Sequence, residues 1–168
     1  MIHEPITGQG CTWQCLTFEQ LDTRTLYDVL ALRAAVFVVE QNCPYQDADG
    51  LDDLAWHLLG YRAGQLVAVA RLLPPGVAGD WPAIGRVVTR ANARGQGLGR
   101  ELMRESVTAM TRLFPGSGLA LGAQAHLVPF YQSFGFEPVG DRYLEDDIEH
   151  QWMQRPPSQS PSDAGAHG

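Results

Sequence analysis

The clearest absence in this 168-residue chain is lysine, because all twelve of its permanently positive side chains are arginines. A nucleotide P-loop places a lysine directly after its last glycine, so the chain cannot contain one. A catalytic Schiff base on a lysine side chain is excluded as well. Arginine, which can bind a phosphate group with two parallel hydrogen bonds, is the cationic side chain that remains for an anion site.

Cysteines are few, and long apolar runs are missing. The three cysteines are odd in number and show no metal-ligand spacing. Cys11 and Cys15 fall in a predicted strand about 13 Å apart, at ~3.3 Å per residue, which is too far for a disulfide. Cys43 lies in a predicted loop, where a free thiol is the simpler interpretation and a nucleophile the alternative. No metal site is therefore expected.

The overall composition favours one globular domain. No apolar run approaches the ~20 residues of a transmembrane helix, and the first ten residues lack signal-peptide features, so we expect a cytoplasmic protein. We predict a loose segment over residues 1–11, one domain over 12–155 and a disordered tail over 156–168. The net charge of −7 disfavours nucleic acid and anionic membranes, and it suits a cationic small molecule or basic peptide.

A glycine-rich loop at residues 94–100, with glycines at 95, 97 and 99, lies between a strand-like run (84–89) and a helix-like run (101–114). The first backbone N–H groups of a helix have no intrahelical partners and attract phosphate. Arg94 and Arg100 flank the loop and add positive charge. The G-x-G-x-G spacing does not match the dinucleotide fingerprint G-x-G-x-x-G. A phosphate-bearing ligand is the functional interpretation, and a tight turn is the simpler alternative.

Hydrophobic periodicity predicts the order β-α-β-β-β-α-β-α-β-β, an α/β fold in which a mixed central sheet is flanked by helices. The first helix follows Asp22, a plausible N-cap. Its core-facing stripe is expected to be Leu26, Leu30, Ala34 and Phe37, with Val29 and Val36 beside them. Another short helix is expected over residues 126–134, followed by strands over 136–143 and 149–155.

Two motifs identify a family resemblance. The pattern Arg94-x-x-Gly97-x-Gly99 resembles motif A of the GNAT (GCN5-related) N-acyltransferase superfamily, and the Phe-Tyr-x-x-x-Gly-Phe run at 130–136 resembles its motif B. The resemblance covers residues 12–155 and is strongest to the ElaA group. The supporting segments are 37–45, 47–50, 85–88, 123–126 and 143–146. The chain departs from many relatives at Thr89-Arg90-Ala91, where they carry Val-x-Pro, and at Gln124, where they carry asparagine.

The resemblance implies acetyl-CoA as cosubstrate and no metal. It places the pyrophosphate on the glycine loop and assigns an N–H at the end of the preceding strand to the thioester oxygen. The residues expected to bind acetyl-CoA are Val87, Val88, Thr89, Arg94, Gly95, Gln96, Gly97, Leu98, Gly99, Arg100, Gln124 and Phe130.

Four residues are candidates for catalysis. Tyr131 matches the family's tyrosine, which the resemblance implies protonates the leaving thiolate, although helical spacing alone would place it in the core. The candidate bases are Glu40, His57 and His150. Each has a structural alternative: Glu40 as a solvated helix end, His57 as a hydrogen-bonded core residue and His150 as a surface residue.

Two acidic clusters suggest the acceptor. They are Glu40, Asp47, Asp49, Asp52 and Asp53, and Glu145, Asp146, Asp147 and Glu149. In the GNAT family the matching loops flank the acceptor site, so we expect a cationic primary amine, either a small molecule or a peptide; two solvated loops are the alternative. The glycine position rules out an EF-hand in the first cluster. The predicted function is acetyl-CoA-dependent N-acetyl transfer, with a non-catalytic acyl-CoA-binding regulatory module as the rival and a homodimer kept as an option.

Overall fold

The computed structural model of the protein describes residues 10–157, so the expectations for 1–9 and 158–168 fall outside that range. Its helices and strands follow in the order β1 (Thr12–Thr17), α1 (Thr23–Ala34), β2 (Trp56–Arg62), β3 (Gln65–Leu73), β4 (Ala83–Thr89), α2 (Leu98–Leu113), β5 (Leu119–Gln124), α3 (Val128–Gln132), β6 (Glu137–Pro138), β7 (Tyr143–Glu145) and β8 (Ile148–Arg155). Helix α1 continues as a π-helical turn, Ala35–Glu40. None of the helices in this part of the chain combines the length and apolar character needed to cross a membrane.

The strands form one mixed sheet, as the sequence predicted. The order is β1-β2-β3-β4-β5-β8-β6, and β7 pairs with the start of β8. All neighbouring strands are antiparallel except β4 and β5, which are joined by the α2 crossover. Strand β3 is central and buried along nearly its whole length, because both faces of the sheet are covered.

Helices α1 and α2 cover the two faces of the sheet. Leu58 packs in the cluster that contains the apolar side of α2, whereas its neighbour Leu59 packs in the cluster beneath α1. This alternation follows from the two-residue period of a strand. Helix α2 has a strong apolar stripe, whose buried members are Leu98, Leu102, Met103, Ala109 and Met110. The polar Ser106 is buried on the same helix, where its hydroxyl donates to the Leu102 carbonyl over 2.7 Å.

Three sequence predictions of the elements were wrong in detail. The buried residues of α1 and the π-helical turn are Val29, Leu32, Arg33 and Val36. The buried face is therefore rotated from the expected stripe, because the charged Arg33 occupies part of it. The expected 126–134 helix is only α3, preceded by a 3₁₀ turn. The expected 136–143 strand is interrupted, since the chain turns at Gly140 (φ +74°) between β6 and β7.

Strands β4 and β5 pair only at their beginnings and then separate. Ala83 lies opposite Ala120, and the Ala120 N–H donates to the Pro82 carbonyl over 2.9 Å. A β-bulge accompanies the separation, because Arg86 and Val87 of β4 face the single residue Ala70 of β3. The bulge puts Arg86 at φ +49°, a conformation that costs a non-glycine residue on the order of 1–2 kcal/mol.

Three arginines hold the loop between α1 and β2 onto the sheet through ion pairs with aspartates of that loop. We call this group the Arg–Asp network; its members are Arg33, Arg71, Arg86, Asp47, Asp49 and Asp52. Arg33 of α1 donates to Asp47 over 2.8 Å and to Asp52 over 2.7 Å. Arg71 of β3 donates to both carboxylate oxygens of Asp49, over 2.7 and 2.9 Å. Arg33 is only 1% exposed, so its charge is stable there because it is paired.

The bulge residue Arg86 completes the network. Its Nε lies 2.8 Å from Asp47 Oδ1, its Nη2 donates to Asp49 over 3.2 Å, and the guanidinium stacks on the Tyr45 ring at 5.6 Å. The Tyr45 hydroxyl also donates to Asp47, over 2.8 Å. These contacts offset the backbone strain of Arg86. They also fix the loop against the strand end where β4 leaves β5.

We expect Gly60→Ala to destabilise the fold by about 1–3 kcal/mol through overpacking. A Cβ at Gly60 would lie 2.6 Å from Cζ3 of Trp13, and the indole cannot move away freely because its N–H donates to Glu101 over 3.0 Å. Urea unfolding measures the loss. The control is Gly85→Ala, another strand glycine, whose added Cβ meets nothing within 4 Å. Equal stabilities of the two variants would contradict the packing argument.

The network also predicts a pH dependence of stability. Desolvation acts to raise the pKa of Asp49, but hydrogen bonds from Arg71 and the Leu51 N–H, with the nearby arginine charges, outweigh it and lower the pKa to about 2. Because this is below the ordinary value of about 3.9, the stabilisation from Asp49 is complete above pH ~5 and is lost as the pH falls towards 2.

Urea unfolding between pH 2.5 and 6 tests this expectation. The difference in the free energy of unfolding between the native protein and Asp49→Asn should be constant above pH ~5 and shrink below pH ~4. Asp53→Asn, at an exposed neighbouring position outside the Arg–Asp network, serves as the control for the loss of one negative charge. A constant difference for Asp49→Asn across the range would show that its ionisation is not linked to folding.

Candidate functional site

The separation of β4 from β5 opens a cleft of about 1000 Å³. Val87, Val88 and Thr89 line one wall, and Leu121, Gly122 and Gln124 line the other. The π-helical turn, the loop that follows it, α3 and the β7–β8 hairpin complete the lining. The cleft lies at the C-terminal ends of two parallel strands, which is a common position for ligand sites in open sheets.

The glycine loop continues from this cleft to α2. Gly95 has φ +93° and Gly97 has φ +75°, and a Cβ added at either would meet nothing within 4 Å, so the loop surface is open. No side chain caps the N-terminus of α2, which leaves its first N–H groups available to an anion. The 16-residue helix also directs the positive end of its dipole at this point.

Of the twelve residues expected to bind acetyl-CoA, five line the cleft: Val87, Val88, Thr89, Arg94 and Gln124. The remaining seven form the loop, the start of α2 and the neighbouring part of α3. The Arg100 guanidinium lies over the rings of Phe130 and Phe134, at 6.0 and 5.8 Å. Leu98 is buried, so only its backbone could face a ligand.

Arg94 joins the glycine loop to the π-helical turn through an ion pair with Glu40. Both guanidinium Nη atoms donate to the carboxylate, with Nη2–Oε2 at 3.0 Å. Arg94 Nη2 also donates to the Thr89 carbonyl over 2.8 Å. The hydrogen bonds from Arg94 lower the pKa of Glu40, so this carboxylate is a weaker base than an ordinary glutamate.

Tyr131 lies on α3 and is 8% exposed, and it belongs to the core cluster while also lining the cleft. Its ring packs edge-on against Phe130, with centroids 5.1 Å apart. Burial raises the pKa of Tyr131 to about 12. The phenol therefore stays protonated at neutral pH and can donate a proton, but it cannot act as a base.

The three candidate bases occupy different environments. His57 is buried between α1 and the sheet, and its Nε2–H donates to the Asp52 carbonyl over 2.8 Å. Burial lowers the pKa of His57, and its side chain is part of the support of the Arg–Asp network rather than of the cleft lining. Glu40 and His150 both line the cleft.

His150 is held in a defined orientation on β8. Its Nδ1–H donates to the Ile148 carbonyl over 2.8 Å, and its ring stacks on Tyr143 with centroids 5.8 Å apart and an interplanar angle of 23°. Its Nε2 lies 3.8 Å from Glu145 Oε2. Gly122 makes room for this arrangement, since a Cβ there would lie 2.7 Å from the Tyr143 hydroxyl.

The two acidic clusters differ in a way that the sequence did not reveal. In the first, Asp47, Asp49 and Asp52 are neutralised by arginines from α1, β3 and β4, so this cluster is not the open anionic surface that the sequence suggested. In the second, Glu145 and Asp146 line the cleft. Within residues 10–157, no group of three His, Cys, Asp or Glu side chains is arranged to hold a metal ion.

Sequence reasoning assigned no role to Gln41, Tyr143 or Trp152, which also line the cleft. Gln41 accepts a hydrogen bond from the Gln124 side chain over 3.2 Å, which joins the end of α1 to the end of β5. The only sequence signal for Trp152 is its two-residue spacing from His150 on one strand, which places both side chains on the same face. Gln41 falls in the segment 37–45 that supports the family resemblance, but no local pattern predicted its contact with Gln124.

Comparison with known proteins agrees with this geometry. The family model described as "Acetyltransferase (GNAT) domain" matches residues 28–156. Protein ElaA of Escherichia coli is 48% identical over 146 residues, which are 85% of this chain and 95% of that protein. The crystal structure of ElaA is similar with a TM-score of 0.80 and 46% identity, and the alignment covers 86% of this chain and 99% of that one.

A crystal structure of an acyl-CoA N-acyltransferase from Pseudomonas aeruginosa is similar with a TM-score of 0.83 and 47% identity, covering 86% of this chain and 99% of that one. An aminoglycoside 6'-N-acetyltransferase solved as a complex with coenzyme A shares the fold at a TM-score of 0.66, with 14% identity and coverage of 88% and 99%. The matched domain spans most of this chain, and its relatives match over nearly their whole length. The chain therefore belongs to the GNAT acetyltransferase family, and proteins of the ElaA group are close homologues.

Proposed function

We propose that the protein transfers an acetyl group from acetyl-CoA to a primary amine. The observation that carries the proposal is the junction of three features at one opening in the sheet. An uncapped helix start with a glycine loop provides a site for pyrophosphate, the separated strands provide a channel, and the protonated Tyr131 lines that channel. Acyl transfer from a thioester requires an anchored pyrophosphate, a channel in which donor and acceptor meet, and an acid for the leaving thiolate, and each feature would supply one of these.

The residues fit acetyl-CoA on the donor side. The open surface at Gly95 and Gly97 lets phosphate oxygens approach the first N–H groups of α2. Arg94 is the first residue of the glycine loop, so its guanidinium can make a bidentate contact with a phosphate group there if it leaves Glu40. Beyond the loop, the separated end of β4 at Val87–Thr89 would supply a backbone N–H to the thioester oxygen, where negative charge develops.

Tyr131 would protonate the sulfur of the leaving CoA. Its buried phenol keeps its proton at neutral pH, and it reaches the cleft from α3. A positioned general acid contributes about 10²–10⁴-fold to a rate. Its core position is compatible with this role, because the surrounding packing holds the ring in one place.

A cationic amine suits the opposite side of the cleft. Glu145 and Asp146 line the cleft on the β7–β8 hairpin, outside the Arg–Asp network, and can attract an ammonium group. The acceptor is therefore proposed to be a small molecule or peptide with a positively charged primary amine. The cytoplasmic location and the option of a homodimer stay predictions from the sequence.

The proposal predicts release of free CoA when the protein, acetyl-CoA and a panel of cationic amines are mixed. Tyr131→Phe should lower kcat by about 10²-fold, because it removes only the acidic hydroxyl. In thermal-shift titration, acetyl-CoA and CoA should stabilise Tyr131→Phe as much as they stabilise the native protein. Tyr27→Phe is the control, since Tyr27 is 74% exposed on α1.

Four outcomes separate the alternatives. Stabilisation by CoA without release on any amine would favour the regulatory acyl-CoA-binding module. Stabilisation by ATP but by neither CoA species would reject both. Normal turnover of Tyr131→Phe across the pH range would exclude Tyr131 as the acid. A preference for neutral or acidic amines would contradict the proposed acceptor class.

The ion pair between Arg94 and Glu40 predicts a gain in donor affinity on mutation. Glu40→Gln frees Arg94 for phosphate, so CoA should bind more tightly by up to about fivefold, since an exposed ion pair contributes about 0.2–1 kcal/mol. Isothermal titration calorimetry with CoA measures the change. Glu19→Gln, at an exposed position before α1, is the matched control. Unchanged or weaker binding by Glu40→Gln would mean that the two anions do not compete for Arg94.

A further inference from the structure

We propose that His150 is the catalytic base that takes the proton from the acceptor amine. This inference rests on the proposed function and adds the residue that prepares the acceptor. Four observations on β8 and its neighbours support it: the face on which His150 lies, the orientation of its ring, the limited solvent around it and the unavailability of the other candidate bases.

His150 lies on the side of the sheet opposite to Tyr131. Along β8, Met153 packs in the buried cluster that contains Tyr131, whereas His150 and Trp152 both line the cleft. Strand alternation gives His150 and Trp152 one face and Met153 the other. The opening between β4 and β5 connects the two faces. A proton donor for sulfur and a proton acceptor for nitrogen would thus act from opposite sides of one carbonyl carbon.

The ring orientation leaves a lone pair for the acceptor. A carbonyl oxygen only accepts hydrogen bonds, so the contact with Ile148 requires that Nδ1 carries the hydrogen. In the neutral ring, Nε2 is then unprotonated. The stacked Tyr143 and the strand backbone hold the ring in this orientation, which a general base requires.

The surroundings of His150 favour the transient imidazolium. The charged or titratable groups facing it are Glu145 and Tyr143 on β7, and its partner on β5 is the neutral Gln124. Glu145 Oε2, 3.8 Å from Nε2, can stabilise a positive ring after proton transfer. The side chain of His150 is 12% exposed, so it reaches the cleft while most of the ring is shielded from solvent.

The other candidate bases are less suited. Glu40 is paired with Arg94, which makes its carboxylate less basic. His57 is buried away from the cleft and uses Nε2 to bind the Asp52 carbonyl. Asp49 lines the cleft, but both of its oxygens accept hydrogen bonds from Arg71. His150 is the candidate that combines access to the cleft with a free ring nitrogen.

The proton balance of the step is complete. An ammonium acceptor, R-NH₃⁺, gives one proton to Nε2 of His150 and becomes the nucleophilic amine. The nitrogen lone pair forms the N–C bond, the C–S bond breaks with its electron pair on sulfur, and the thiolate takes the proton of Tyr131. The nitrogen loses its second proton to water, and His150 and Tyr131 exchange protons through solvent. The net products are the amide, CoA-SH and one H⁺.

The experiment compares His150→Gln and His150→Ala with the native protein in the CoA-release assay, using an amine that the native protein acetylates. We expect kcat to fall about 10²-fold in both variants, with unchanged stabilisation by CoA in the thermal-shift titration. Added imidazole should restore part of the activity of His150→Ala but not of His150→Gln, where the cavity is filled. The ascending limb of the pH–rate profile should also be lost. Glu149→Gln, next to His150 but paired with Arg142 at the surface, is the control.

The outcomes distinguish the two levels of the proposal. Native-like kcat in both His150 variants overturns the role of His150 while the acetyltransferase function stands. A loss of activity that imidazole does not restore, with an unchanged pH profile, makes the residue structural and also overturns the role. If the native protein releases no CoA with any amine although CoA binds, the proposed function fails, and the inference fails with it.

Discussion

The pairing of three buried or half-buried arginines with three aspartates is the interaction on which the rest of the structure depends. It ties α1, β3 and β4 to the loop between α1 and β2, and it holds that loop against the point where β4 leaves β5. Buried ion pairs contribute little net energy, but removal of one partner costs about 3–5 kcal/mol because a charge is left without compensation. The network therefore fixes the position of this wall of the cleft more than it stabilises the fold.

A strained strand and a fixed loop together make the two-sided opening. The bulge at Arg86 turns β4 away from β5, and the side chain of the same residue binds the loop that covers the gap. On the far wall, the glycine at position 122 admits Tyr143, which in turn supports His150. Under the proposed function, the donor side would rely on backbone groups and arginine, whereas the acceptor side would rely on side chains from β7 and β8.

Local patterns in the sequence predicted the parts of the protein that local physics determines. The glycine loop and its flanking strand and helix were found because phosphate-binding turns have a short signature, and the mixed sheet followed from the order of periodic segments. The acidic loop was misread because its partners, Arg33 and Arg71, are distant in sequence and carry no local mark. The turn at Gly140 and the rotation of the buried face of α1 were also not predicted, because both depend on tertiary contacts rather than on local sequence. The pair between Arg94 and Glu40 joins residues 54 positions apart, and no spacing rule could have indicated it.

The composition of the Arg–Asp network has a consequence for chemical durability. A lysine in place of Arg71 or Arg86, which both line the cleft, would place an amine beside an activated acyl group if the cleft holds acetyl-CoA as proposed. A guanidinium stays protonated and has no nucleophilic lone pair at neutral pH, so it cannot be acylated in that way. Because the chain has no lysine, neither the network nor any other side-chain amine can become a substrate of the protein's own reaction. The arginines that line the cleft therefore cannot be acylated by the protein's own reaction.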